Sequence, residues 1–233
     1  MIPKKIHYIW LGNKEKSKLH QRVLNSWRNN APEYEIIEWN ESNIGEIRNQ
    51  FLDDALKHHA YAFASDYIRL YVLEKYGGIY MDLDMILIKN PDEVLKDYDL
   101  VFSIQDENVI FQTSFIAAEA HHKFIQSCLN YYDTLKFNSE GMQPNSELLT
   151  PLLLENYSFS NKDQTQVINN TCAYNSEILL QPSFHSVAIH IGETSWKTAT
   201  LHDKLRIMLR QHLTNQFEAG IFKAVQDIAR KIL

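Results

Sequence analysis

Two aspartates inside an apolar run constrain this chain more than any other feature. Residues 79–88 read Ile-Tyr-Met-Asp-Leu-Asp-Met-Ile-Leu-Ile, directly after Gly77 and Gly78. The run is the clearest strand in the sequence. In a strand, residues two apart face the same side, so Asp82 and Asp84 are expected to project together. Two carboxylates that close repel unless a cation or a proton lies between them. The economical reading is a divalent metal held by carboxylate oxygens, with phosphate oxygens completing its shell. Oxygen donors suit Mn2+ or Mg2+ better than Zn2+. The alternative is a solvated pair at a strand end, since D-x-D also recurs by chance. The adjacent glycines favour the functional reading, because glycine lets the backbone approach a ligand closely. Only seven glycines occur in 233 residues.

Residues 58–76 give the clearest helix, closed by Gly77 where helices commonly end in a left-handed residue. Ala62, Asp66, Arg69 and Leu73 share one face of it. Asp66 and Arg69 could simply pair with each other, but the short Gly-Gly turn folds this helix back beside the aspartate strand. Further strands are expected at 4–11, 34–39, 99–104 and 109–117, with helices at 16–29, 42–56, 121–137 and 146–156. Weak strands follow near 165–168, 177–180 and 187–191, and residues 138–147 read as a loop. Two amphipathic helices, about 203–214 and 217–232, finish the chain. Alternating strands and helices in the first half imply an α/β fold around a mostly parallel sheet.

A formal net charge of −6 argues against nucleic-acid binding, which needs a basic footprint. The two cysteines, Cys128 and Cys172, form no framework and read as thiols in a reducing cytoplasm. The first residues lack the apolar core of a signal peptide, and no apolar run is long enough to span a bilayer. A cytoplasmic protein is therefore expected. Residues 203–233 differ from the rest: they hold six basic and three acidic side chains. Their apolar faces could pack on the domain. They could also touch an anionic membrane surface from the cytoplasmic side.

The segment Ala64-Ser65-Asp66-Tyr67-Ile68-Arg69-Leu70, then Leu73, then Tyr76-Gly77-Gly78-Ile79-Tyr80-Met81-Asp82-Leu83-Asp84 fills the pattern S-D-x-x-R-x-x-x-L-x-x-x-G-G-x-Y-x-D-x-D. It resembles the DXD-motif sugar transferases: bacterial capsule and O-antigen transferases, yeast initiating mannosyltransferases and the glucosyltransferase domains of clostridial toxins. The opening Ile2-Pro3-Lys4-Lys5-Ile6-His7-Tyr8-Ile9-Trp10-Leu11-Gly12 and the later Ser26-Trp27, Pro32, Tyr34 and Trp39-Asn40 are similar to the same family, as are Ala188-Ile189-His190 and Ser195-Trp196. Ile191 stands where many members carry a second histidine. The resemblance covers about residues 2–200. It implies a GT-A type nucleotide-sugar-binding domain, Rossmann-like with helices flanking the sheet, over 1–202, and a C-terminal appendage of amphipathic helices over 203–233.

The resemblance also implies roles. Asp84 contacts the metal, and Asp82 meets ribose or sugar hydroxyls and stands behind the metal. Asp66 and Arg69 face the transferred sugar. Trp10 stacks on the base, and Ser195 and Trp196 close over the diphosphate. His190 is a further metal ligand or a diphosphate contact, with imidazole accepted more readily by Mn2+ than by Mg2+. His7, Tyr76 and Tyr80 read as packing residues, and His121-His122 as the start of a helix. The expected activity is hexose transfer from a nucleotide sugar, with UDP favoured, to a saccharide acceptor, with retention. A lipid-linked acceptor in bacterial surface-polysaccharide assembly would fit the C-terminal helices. The sequence names no carboxylate beneath the anomeric carbon, which favours front-face attack over double displacement. The rivals are a catalytically silent nucleotide-sugar-binding protein and a D-x-D phosphohydrolase. The second usually needs D-x-D-x-T, and Ile86 stands in place of that threonine.

Overall fold

The computed structural model describes residues 1–105, 110–138, 142–192 and 200–232. Its elements follow in the order β1 (Lys5–Ile9), α1 (Lys18–Asn30), β2 (Glu35–Trp39), α2 (Gln50–Lys57), α3 (Tyr61–Tyr76), β3 (Gly78–Met81), β4 (Met85–Leu87), α4 (Asp92–Leu95), β5 (Leu100–Ser103), β6 (Gln112–Ala118), α5 (Lys123–Thr134), α6 (Asn145–Asn156), β7 (Gln166–Ile168), β8 (Thr171–Tyr174), α7 (Ser176–Leu179), β9 (Ala188–His190), α8 (Leu201–Arg210) and α9 (Gln216–Ile232).

Seven strands form one sheet in the order β2-β1-β3-β6-β5-β8-β7. Strands β2, β1, β3, β5 and β8 run one way, and β6 and β7 run against them. The mostly parallel α/β sheet is thus present, with one reversed strand at its centre. Strand alternation divides the core. Ile79 and Met81 face a cluster with α1, β4 and β9, while Tyr80 faces another with α2, α3, α5 and α6. Strands β4 and β9 stand apart as a two-stranded antiparallel sheet on the first of these sides.

The apolar run 79–88 is therefore two strands in two sheets, not one. Ile79–Met81 and Met85–Leu87 are buried alike, so hydrophobicity gives no sign of the break. Asp82 to Met85 makes a turn, closed by a bond from Met85 N to Asp82 O at 3.0 Å. Helix α1 supports the far side of that turn. Trp27 Nε1 donates to Met85 O at 2.7 Å, Leu87 N donates to Ser26 Oγ at 3.1 Å, and Asn30 Nδ2 donates to Leu87 O at 3.0 Å. Side chains thus satisfy the edge of β4 that no strand covers.

The two glycines have a structural cause. At Gly77 (φ +60°) a Cβ would meet Ala120 N at 2.6 Å, and at Gly78 (φ +106°) it would meet Lys5 O at 2.8 Å. The close approach is to the protein's own backbone, at the end of β3 opposite Asp82, and not to a ligand. His7 secures the same turn. Its Nδ1 accepts from Trp39 Nε1 at 3.1 Å, which leaves Nε2–H to donate to Gly77 O at 2.9 Å.

Other expectations change, and the helix expected over 42–56 begins only at Gln50. Residues 177–179 fold in helix α7 and Leu180 caps it, a short apolar run with no periodicity to distinguish it from a strand. Strand β8 was not legible, because its Thr-Cys-Ala-Tyr is buried on both faces and does not alternate. The loop expected over 138–147 falls in part outside the described residues, and α6 already begins at Asn145. Cys128 and Cys172 are buried free thiols.

Candidate active site

Asp82 and Asp84 are held by different layers of the molecule. Asp82 continues the alternation of β3 onto the α3 side. Its N–H donates to Ser114 O of β6 at 2.9 Å, and its Oδ1 accepts from Tyr80 Oη at 2.6 Å. Arg69 of α3 reaches the same Oδ1 at 3.3 Å. Asp84 faces the small sheet instead. Register in that sheet pairs Met85 with His190. Asp84 O accepts from Ile191 N at 2.9 Å, and Asp84 Oδ2 lies 3.1 Å from His190 Nε2. The two carboxylates still converge, through a turn between two sheets instead of a shared strand face.

Ligand atoms of Asp82, Asp84 and His190 all lie within 4.8 Å of one another. Two carboxylates and an imidazole are donors that a divalent cation accepts, and the nitrogen favours Mn2+ within that class. The charge balance agrees. Asp66 and Asp84 are buried and Asp82 is half-buried, against the single guanidinium of Arg69. The donor set thus fits a divalent metal.

Arg69 is the hub on the α3 side. It pairs with Asp66 Oδ1 at 2.9 Å, donates to Thr113 O at 2.9 Å and to Ser65 Oγ at 3.1 Å, and lies 4.6 Å from the Tyr80 ring centre. Burial pushes the Asp66 carboxyl up to about 7; the charge of Asp82 adds to this and Arg69 opposes it. Burial also raises Asp82, with Arg69 opposing and Asp84 adding. For His190, burial works against the charged form, yet the neighbouring Asp84 and Asp82 outweigh it and raise the imidazole above its ordinary value. Two acids, Asp66 and Asp82, raised chiefly by burial beside one arginine mark a candidate functional site.

Trp10 follows β1, which lies parallel to β3, so it leaves the sheet at the same edge as Asp82. Its Nε1 donates to Lys14 O at 2.6 Å, and His20 meets the ring edge-on at 4.6 Å. Ser195 and Trp196 lie outside the described residues. The structure thus brings Asp66, Arg69, Asp82, Asp84 and His190 together, with Trp10 on the same edge.

The sequence reading missed several groups. Tyr80 is not packing alone, since its hydroxyl orients Asp82. Asn145, at the start of α6, stands beside Asp66 and favours its charged form. Its Oδ1 accepts from Tyr132 Oη at 3.2 Å. Its only signal in the sequence is a polar residue opening an apolar helix.

Residues 17–101 match the family model described as the glycosyltransferase sugar-binding region containing the DXD motif. Subversion of eukaryotic traffic protein A from Legionella pneumophila is 30% identical over 44% of this chain and 20% of its own length. Inositol phosphoceramide mannosyltransferase 1 from Schizosaccharomyces pombe is 26% identical over 59% of this chain and 44% of its own length. The chain therefore spans less than half the length of these curated relatives. Among solved structures, the PaToxG glycosyltransferase superposes with a TM-score of 0.52 over 67% of this chain and 70% of that one, at 21% identity, a likeness of fold. Residues 17–101 are thus similar to the DXD-containing sugar-binding region of glycosyltransferases, and the chain carries that region on a fold found in a solved glycosyltransferase.

Proposed function

We propose that this protein is a metal-dependent, retaining glycosyltransferase that moves a hexose from a UDP-sugar to a saccharide acceptor. The observation that carries the reading is the convergence of Asp82, Asp84 and His190 within 4.8 Å, beside the buried Asp66–Arg69 pair. Asp84 and His190 would hold the cation, Mn2+ in preference to Mg2+. Bound there, it would supply positive charge against the departing nucleoside diphosphate. Asp82 is already committed on Oδ1 to Tyr80 and Arg69, which suits an orienting role towards donor hydroxyls. Asp66 and Arg69 would fix the transferred sugar, and Trp10 would offer the base a flat apolar face.

The acceptor in this reading is lipid-linked and the enzyme works at the inner face of the cytoplasmic membrane, in bacterial surface-polysaccharide assembly. Residues 1–202 bind the donor and 203–233 meet the lipid. Support comes from α8 and α9, whose Leu205, Met208, Leu209, Phe217, Ile221, Val225 and Ile228 are 43–69% exposed. The name of the fission-yeast relative also points to a lipid acceptor for that protein. The attachment proposed is peripheral; among the described residues, no helix is long and apolar enough to cross a membrane. Arg206 and Arg210 are turned into the protein, which leaves apolar contact as the larger part of the attraction.

The test is a panel of nucleotide sugars, with Mn2+ or with chelator, read by released nucleoside diphosphate. UDP-hexoses with Mn2+ should lead, and chelator should stop release. Donor binding without metal-dependent release from any sugar would overturn the enzymatic reading and leave a nucleotide-sugar-binding protein.

A further inference from the structure

The C-terminal helices do more than rest on the domain, because two arginines from α8 grip the chain around His190. Arg210 is 6% exposed. Its Nη1 donates to His190 O at 2.8 Å and its Nη2 to Gln181 Oε1 at 2.5 Å. One helical turn earlier, Arg206 Nη2 donates to Gly192 O at 3.1 Å. Gly192 has φ +81°, and a Cβ there would come 3.1 Å from that same Nη2.

The spacing is complementary. Residues four apart on a helix share a face and lie about 6 Å apart along it, which lets two side chains of α8 reach two successive carbonyl sites just past β9. Arg206 and Arg210 therefore match Gly192 and His190 as two teeth match two gaps. The helix pair is anchored behind them by Leu213 and Ala219, both buried in the core. His190 N–H is fixed as well, donating to Leu180 O at 2.9 Å. With both its backbone groups held, the imidazole has only side-chain torsions left with which to leave Asp84.

We infer that Arg210, assisted by Arg206, is a positioning residue that sets the His190 imidazole against Asp84, so that α8 is a working part of the metal site. A guanidinium buried merely for packing would carry its desolvation cost without a defined target; here both forks end on defined acceptors, one of them the backbone of a metal-site residue. Partners that orient a metal ligand from behind change metal affinity when lost, typically by 10- to 100-fold.

This inference rests on the reading of Asp84 and His190 as metal ligands, and the experiment separates the two. Mn2+ affinity is measured on the full chain, without donor or turnover, from the paramagnetic signal of free Mn2+. His190→Ala should weaken binding about 10-fold or more. Arg210→Gln should weaken it about 10-fold and Arg210→Lys should recover part of the loss. Should Arg210→Gln fail to fold, Arg206→Gln and Gln181→Leu carry the test, each with a smaller loss of about threefold. A role in stability alone would lower the melting temperature and leave the Mn2+ affinity of folded protein unchanged. Wild-type affinity in folded arginine and glutamine variants, with His190→Ala impaired, would overturn the positioning role and keep the metal site. Wild-type affinity in His190→Ala would overturn the metal reading itself.

Discussion

The two long helices α3 and α9, of 16 and 17 residues, break the same rule in opposite directions. Helix α3 carries charge inward: Asp66 and Arg69 are 9% and 6% exposed. Helix α9 carries grease outward: Phe217, Ile221, Val225 and Ile228 are at least 45% exposed. Ordinary packing would have reversed both. Buried charge is tolerated where a ligand or counter-ion completes it, and exposed apolar surface where something covers it. The comparison separates the face proposed to bind the donor, built into the sheet, from the face proposed for attachment, built on the surface.

The largest effect should come from breaking the inward side. Arg69→Ala would leave Asp66 and Asp82 buried without their cation, and loss of one partner from a buried pair costs about 3–5 kcal/mol. Chemical denaturation would measure it. A loss below about 1 kcal/mol would mean that α3 does not depend on its buried charge.

His7 gives the same logic a pH dependence. Burial lowers its imidazole to about 4, with the Gly77 carbonyl opposing. The unfolded chain, near 6.5, therefore takes up the proton first as pH falls. The stability contribution is complete above about pH 6.5 and is lost towards pH 4, with about 2–3 kcal/mol gone by pH 4.5. Unfolding free energies at pH 7 and 4.5 should differ less in His7→Gln than in the wild type by that amount. Equal differences would show that His7 titrates normally.

Trp10 is the intermediate case, an aromatic partly covered at the donor edge. If the base stacks on it, Trp10→Ala should weaken UDP binding by about 1–3 kcal/mol in calorimetry. An unchanged affinity would assign Trp10 to packing. The smallest effect on stability belongs to the outward side. The triple change Phe217→Ser, Ile221→Ser, Val225→Ser should alter unfolding by about 0.5 kcal/mol per site or less, because the side chains leave water only on attachment. It should nonetheless abolish sedimentation with anionic liposomes. Absence of liposome binding by the wild type would sink the membrane role, and a large loss of stability would show that the stripe is covered within the folded protein.

How much of this was legible follows from distance along the chain. Asp66, Arg69, Asp82 and Asp84 fall within 19 residues, so one contiguous pattern exposed them. Their supports come from far away: Thr113 and Ser114 on β6, His190 on β9, Arg210 on α8, Asn145 on α6. No local periodicity encodes such contacts. The apolar run 79–88 misled for a related reason. It reads as one strand because both of its halves are buried, yet they are buried in different layers, and the turn between them sets the aspartates. Gly77 and Gly78 were rightly singled out, but the backbone they admit is that of Lys5 and Ala120, which lie well before and well after the pattern.

The central claim is that Asp84 holds the cation on which transfer depends. Asp84→Ala should keep the wild-type fold and melting temperature, since its carboxylate faces His190 and not the apolar core, while Mn2+-stimulated release of UDP from a UDP-hexose falls by about 1,000-fold or more, the scale of a lost charge-stabilising group. A folded Asp84→Ala protein that retains near-wild-type, Mn2+-stimulated release would contradict the account.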